Sequence, residues 1–450
     1  MNSENNHILA NQNLGKLLTS LSVPAIIGMF VMSTFNVVDT IFVGQGVGTL
    51  GIAGVAIVFP FQVIVLAIGQ LIGMGAASII SRAIGSGDMA RANRALGNMM
   101  AMVIFFSAII TVLGGIFIDD ILRLMGATPD ILPYAHEYLR IILIGTLFRC
   151  MLISSNNVIR SEGRAKESMI LIVTTAIINT ILDPIFIFVL DMGITGAALA
   201  TIISQGLGSV YAIIFYSSKR SVIKVKLADF VPDFSILRET FGVGMASLAR
   251  NVSSSVLVII MNNQLAHYGG NTAIAVLGVT HRLVFMAFTP LLGIAQGFQP
   301  IAGYNYGAQR YSNVRKLIQI ATKRSVIIGS IAFAVMMAFP GLLIRLFSQD
   351  QALIQMAIPA LRLSVIMFPI IGKQIIGAIM FQALGHSVRA FFLTASRQMI
   401  FLIPLVLLLP PRFGWLGVFY SMPIADFLST AITLAFVIAA VKALPEDVPE

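Results

Sequence analysis

Residues Asn179–Phe186 read NTILDPIF, a carboxylate followed by a proline in the middle of an apolar run that extends from Met169 to Leu190. About 20 apolar residues are what a helix needs to cross a bilayer. Asp183 would therefore sit near hydrocarbon depth. A carboxylate there costs on the order of 2.5 kcal/mol or more, and it is retained where it faces a protein interior or a wet cavity. Asn179 lies four residues earlier, on the same helical face. Pro184 removes a backbone donor and frees an upstream carbonyl, which adds polar backbone beside the acid. The functional reading is a binding site in the membrane, and the plain alternative is a polar knot between helices.

The rest of the chain has the character of that run. Hydrophobic residues make up 57% of the 450 positions and charged residues 11%, where soluble domains carry about 25% charge. The expected class is an all-α polytopic membrane protein. A single cysteine, Cys150, excludes an internal disulfide or a multi-cysteine metal site. The five histidines show no HExxH-like spacing, so a transition metal is not expected; no GxxxxGK[ST] loop is present, so neither is ATP. The polar start, MNSENNHILANQNLGK, lacks the basic region and cleavage site of a signal peptide.

Interrupting the apolar stretches at charged or turn-rich segments predicts twelve spans: 17–42, 51–80, 95–118, 134–154, 168–190, 195–217, 240–263, 272–300, 324–346, 357–381, 390–410 and 415–441. Most of the 29 basic residues fall in the two tails and the loops after even-numbered spans, among them Lys16, Arg82, Arg91, Arg315, Arg389 and Arg397. The opposite loops hold only Arg123, Arg345 and Arg412. The positive-inside rule then predicts both termini in the cytoplasm. The net charge of +10 is thereby topological, and no nucleic-acid partner is expected.

The midpoint of the chain carries the longest inside loop, and the two sides of it repeat. GMGAASIISRAIGSGDMARANR from Gly73 aligns with AQGFQPIAGYNYGAQRYSNVRK from Ala295, which pairs Gly75 with Gly297; GITGAALATIISQ from Gly193 aligns with GWLGVFYSMPIAD from Gly414. The predicted organisation is a tail (1–16), a first lobe (17–217), a linker (218–239), a second lobe (240–441) and a tail (442–450). An even number of spans per repeat implies two pseudo-twofold-related six-helix bundles around a central cleft that opens to either side as the lobes rock.

Within the spans, Asp39, Asp183 and Asp426 are the only carboxylates clearly inside apolar sequence. Repeat alignment places Met261 opposite Asp39 and Pro404 opposite Asp183, so this pair of acids belongs to the first lobe alone. Asp39, Asn179, Asp183 and Thr201 are expected to converge, with Asn36, Thr40 and Gln205 in support. Two carboxylates with amide and hydroxyl oxygens suit sodium. They also suit a proton, since burial and a second negative charge both favour the neutral form of a carboxyl. In the second lobe, Asp426 is expected to form a polar cluster with Arg250, Arg282 or Lys373. His281 beside Arg282 reads first as a structural histidine. Some of the 22 methionines and 30 phenylalanines can line a cavity that adapts to varied hydrophobic ligands, while most are expected to face lipid or neighbouring helices.

Taken together, VVDTIFVG with Asp39, AIGSGD, NTILDPIF, GITGAALATIISQ and PIAGYNYGAQ make the chain resemble the multidrug and toxic compound extrusion (MATE) transporters over essentially its whole length. The resemblance is to the prokaryotic branch with an ion site in the first lobe, whose pattern Asp39, Asn179, Asp183 and Thr201 match. Another branch relies on a glutamate in the seventh helix, where this chain has only Glu239 at the edge. The resemblance implies a cation-coupled antiporter that exports drug-like, often cationic, organic compounds in exchange for protons or sodium. No cofactor beyond the coupling ion is implied, and the expected form is a monomer in contact with membrane lipid. A lipid or lipid-linked sugar flippase of the same superfamily would want a broader basic cavity. An intramembrane enzyme would have only the Asp39 and Asp183 pair to work with.

Overall fold

The computed structural model describes residues 8–447, apart from residue 12 and the side chains of Asn36 and Val37. Every regular element among them is helical. Two helices are too long for one crossing. Leu14–Gly85 has 72 residues and Phe234–Gly307 has 74, or about 110 Å at 1.5 Å per residue, against a hydrocarbon core of about 30 Å. Each is broken at one glycine, Gly48 (φ 80°, ψ −165°) and Gly270 (φ 65°, ψ −165°). Glycine adopts this conformation readily and a residue with a Cβ does not.

Divided there, the chain runs through α1 (14–47), α2 (49–85), α3 (Met89–Ile116), α4 (Leu132–Ile144 with Thr146–Ser161, bent by 55°), α5 (Ala165–Val189) and α6 (Gly193–Ser217). The second half follows as α7 (234–269), α8 (271–307), α9 (Tyr311–Ala338), α10 (Gln351–Val365 with Phe368–Ala383, bent by 48°), α11 (Ser387–Phe413) and α12 (Leu416–Ala443). These are the twelve spans predicted from sequence. Exposed apolar side chains such as Ile116, Val189 and Leu408 are what a surface solvated by lipid presents. The repeat is written into the backbone as well: Gly48 and Gly270, whose numbers differ by 222, share one unusual conformation, and Gly193 and Gly414 are both left-handed, at φ 53° and 60°.

Contacts divide the chain into one unit of Ile27–Gly244 and another of Met1–Ile26 with Met245–Glu450. The contact units divide the chain differently from the predicted 17–217 and 240–441 with a linker between them. The start of α1 belongs with the second half. The linker and the start of α7 belong with the first. Glycine-mediated close packing is the cause. In the first unit a Cβ on Gly75 would lie 2.1 Å from the Thr240 carbonyl oxygen, and one on Gly244 would lie 2.1 Å from that of Leu71. In the other, a Cβ on Gly297 would lie 2.5 Å from Ser22 Oγ, and one on Gly293 would lie 2.2 Å from Ile26 Cγ1. Leu17, Leu18 and Leu21 are buried there, and Arg324 Nη1 donates to Thr19 Oγ1 at 2.7 Å. Gly75 and Gly297 are the residues that the repeat aligns, so each half's second helix receives the start of the other half's first helix at an equivalent position.

The linker is strapped to its unit. Asn98 Nδ2 donates to the carbonyls of Asp229 (3.1 Å) and Val231 (3.2 Å), and the Asp233 N–H donates to Asn98 Oδ1 at 2.8 Å. Glu239 pairs with Arg82 (2.5 Å) and Arg91 (2.7 Å). Glu162, between α4 and α5, is fully buried and accepts from Ser221 Oγ at 3.0 Å and the Val222 N–H at 2.7 Å. Burial outweighs those donors and pushes its carboxyl up to about 7.

Two outcomes follow from this packing. Gly75→Leu and Gly297→Leu should each destabilise the protein by about 1–3 kcal/mol or more, read as a lower melting temperature in detergent; a variant melting with the wild type would contradict the packing. Because the Glu162 carboxyl is raised in the folded state, the strap over Ser221–Ile223 is held most firmly below the ordinary carboxyl value of 4.5 and loosens as pH rises through about 7. Hydrogen exchange at Val222, corrected for its intrinsic pH dependence, should lose protection over that interval in the wild type and not in Glu162→Gln.

Candidate functional site

The site is built at the end of α5. Pro184 leaves the carbonyl one turn upstream without its usual donor. Directly after it, Ile185–Val189 widens into a π-turn, closed by the Leu190 N–H donating to the Ile185 carbonyl at 2.9 Å. Such turns expose backbone and recur at functional sites. The chain then reverses through Asp191 (φ 50°) and Gly193, and α6 starts tightly against the turn, since a Cβ on Gly196 would lie 2.8 Å from the Phe186 carbonyl.

Asp183 is fully buried, Asn179 is 1% exposed and Thr201 is 9% exposed. Asn179 Nδ2 donates to Asp183 Oδ1 at 3.2 Å. Asp39, half-buried on α1, faces Asp183 with the two carboxyl groups at hydrogen-bonding distance. When both are ionised neither has a proton to donate, and like charges in a low-dielectric interior repel strongly. Asp183 Oδ2 and Asn179 Oδ1, both buried, have no donor among the described residues. Buried acceptors of this kind are costly unless something positive or hydrogen-donating meets them. The arrangement therefore suits one proton, or one small cation coordinated by oxygen. Thr201 donates its hydroxyl proton to the Ala197 carbonyl at 3.0 Å, which leaves its oxygen lone pairs to accept.

The supporting residues are placed less uniformly. Thr40 is exposed and Gln205 half-buried, and the Asn36 side chain lies outside the described residues. Three residues that sequence reasoning passed over stand behind the acids. Gln62 Nε2 donates to the Tyr138 hydroxyl at 3.2 Å, and Arg149 Nη1 reaches Gln62 Oε1 at 3.4 Å. Tyr138 is 3% exposed and close enough to Asp39 and Asp183 to feel both charges. The signal was Arg149 itself, a cation inside the fourth apolar span, which implies a polar partner nearby.

In the second half, the expected partnership of Asp426 with Arg250, Arg282 or Lys373 is replaced by another. Asp426 Oδ1 accepts from Arg397 Nε at 2.6 Å. Arg397 was counted with the loop cations, but it lies inside α11, in a second π-turn spanning Ser396–Leu402. Its guanidinium also stands 5.6 Å from the centre of the Phe288 ring. His281 and Arg282 are exposed and Lys373 is half-buried. Arg250 lines a cavity with Arg397. Among the described residues no group of three or more His, Cys, Asp or Glu side chains is arranged to hold a metal ion.

The MatE family model matches this sequence twice, over residues 24–185 and 246–408. The two matches begin 222 positions apart, the spacing of the repeat. A multidrug export protein of Staphylococcus haemolyticus, MepA, is 26% identical over 447 residues, 99% of this chain and 98% of that protein. Among solved structures, an outward-facing multidrug resistance MATE family transporter of the MOP superfamily aligns with TM-score 0.90 at 26% identity, over 97% of this chain and 98% of that one. A MATE crystal structure in the bent conformation aligns with TM-score 0.92 at 26% identity, over 97% of each chain.

The facing carboxyls carry a stability prediction. In sodium-free solution alkaline enough to ionise both acids, Asp39→Asn replaces a repulsion with an N–H donor to Asp183, and a hydrogen bond to a charged group is worth about 1.5–3 kcal/mol. The variant should melt above the wild type in detergent. A lower melting temperature would show that the two groups do not oppose each other.

Proposed function

The chain belongs to the MatE family, and from that premise we propose that it is a multidrug exporter driven by an inward flow of protons or sodium through the first lobe. The observation that carries the coupling is the pair Asp39 and Asp183, opposed at hydrogen-bonding distance, with Asp183 Oδ2 and Asn179 Oδ1 lacking donors among the described residues. A monovalent cation sheds water most readily where oxygens replace it, and here those oxygens come from Asp39, Asp183, Asn179 and Thr201. A proton bound between the two carboxyls does the same electrostatic work.

The driving step follows from differential binding. An ion shifts a conformational equilibrium only by as much as its affinities for the two states differ. In this scheme the ion enters from outside and favours the state that releases substrate; losing it to the cytoplasm restores the state that loads substrate. Drug-like, often cationic, compounds suit a protein rich in methionine and phenylalanine, whose surfaces repack around different shapes. The predominance of basic residues in the tails and alternate loops supports an inner-membrane orientation with both termini in the cytoplasm.

Reconstituted vesicles carrying the full chain test the reading. Efflux of a cationic dye such as ethidium should follow an imposed proton or sodium gradient, and Asp183→Asn should reduce it to the level of protein-free vesicles without lowering the amount of folded protein. Gradient-driven efflux that survives in Asp183→Asn would remove the ion site from the first lobe.

A further inference from the structure

The acids of the first lobe have a counterpart of opposite sign. Asp39 and Asp183 lie on α1 and α5, the first and fifth spans of their half; Arg250 and Arg397 lie on α7 and α11, the first and fifth spans of theirs. Both fifth spans contain a π-turn, Ile185–Val189 and Ser396–Leu402. The duplicated scaffold thus carries carboxylates in one copy and guanidiniums in equivalent helices of the other.

The two arginines share a cavity of about 60 Å³, lined also by Gln374, Thr394, Gln398 and Phe288. Arg397 is positioned from behind. Its Nε is taken by Asp426, whose side chain is 4% exposed, and its guanidinium carbon lies 5.6 Å from the centre of the Phe288 ring. Both Nη groups of Arg397 are left without a protein partner among the described residues. Arg250 has neither an ion-pair nor a hydrogen-bond partner among those residues. Two guanidiniums against one carboxylate leave a net positive charge in an apolar bundle, an arrangement that is costly to keep unless an anion meets it. Gln398 Nε2 donates to Ser254 Oγ at 2.8 Å, while its Oε1 is buried without a donor among the described residues.

We infer that this cavity is a binding subsite for the carboxylate of an organic anion or zwitterion, held by Arg250 and the Nη groups of Arg397. A guanidinium fork matches the two oxygens of a planar carboxylate better than it matches a spherical ion. The volume accommodates that group and little more, so the apolar remainder of the ligand lies outside the cavity. A ligand N–H or O–H beside the carboxylate would satisfy Gln398 Oε1. As part of an export path the subsite rests on the efflux reading; as a binding site it does not.

The test therefore reads binding in the absence of any gradient, using purified full-length protein in detergent, with 2-naphthoate and its neutral analogue 2-naphthamide as probes in equilibrium dialysis. The wild type should bind naphthoate saturably and more tightly than naphthamide. Arg250→Gln should weaken naphthoate at least tenfold and leave naphthamide unchanged, with Arg250→Lys falling between. Because Arg397→Gln alone strands Asp426, the second arm pairs it with Asp426→Asn, and this double variant should lose the preference for naphthoate; a melting curve certifies the fold of each. Equal affinity for the two probes in the wild type, absence of saturable naphthoate binding, or full naphthoate affinity in Arg250→Gln overturns the subsite. Asp183→Asn should retain Arg250-dependent naphthoate binding, so a failure of dye efflux leaves this result standing, and the reverse.

Discussion

Two carboxyl groups face each other in an apolar helical bundle, and most of what is distinctive about the first lobe answers the repulsion between them. Asp183 is fully buried, yet Asn179 offers it a single amide donor, and among the described residues neither Asp183 Oδ2 nor Asn179 Oδ1 has a donor. A structure selected only for stability would have filled those acceptors or replaced the acids, as the second half does with Met261 and Pro404. Retaining them makes sense where one positive charge comes and goes. Near them, Tyr138, Gln62 and Arg149 form a polar chain that joins α2 to α4.

The duplication gives this lopsidedness its meaning. Both halves share the break at Gly48 or Gly270, the left-handed turn at Gly193 or Gly414, and the glycine contact at Gly75 or Gly297. What they do not share is the sign of charge on their first and fifth spans. Backbone geometry has been kept where chemistry has diverged. The unit boundaries fall inside helices: α1 and α7 each contribute residues to both units along their length.

Much of this was legible in the residues. Twelve spans were readable because hydrocarbon demands length and apolarity, and nothing else in a sequence mimics that. Asp39 and Asp183 stood out because an acid at such depth is expensive, and Asn179 followed from helical periodicity. The repeat was visible in the glycines because close backbone approach tolerates nothing larger. The partners of those glycines were not visible: Ser22 and Thr240 sit in ordinary apolar sequence, and which helix fills a glycine notch is a tertiary fact. Arg397 was counted with the loop cations although the predicted span 390–410 contains it, and no local pattern announced the π-turn at Ser396. Tyr138 and Gln62 were missed because a tyrosine and a glutamine in a span are individually unremarkable; only Arg149 beside them signalled a buried polar chain.

The direct test of the facing carboxyls is to count the positive charge that they hold. Radioactive sodium bound to purified full-length protein, measured together with proton uptake in weakly buffered solution, should total one cation per chain in the wild type, and that cation should be missing from both Asp39→Asn and Asp183→Asn. Uptake that is unchanged in both variants would contradict the assignment.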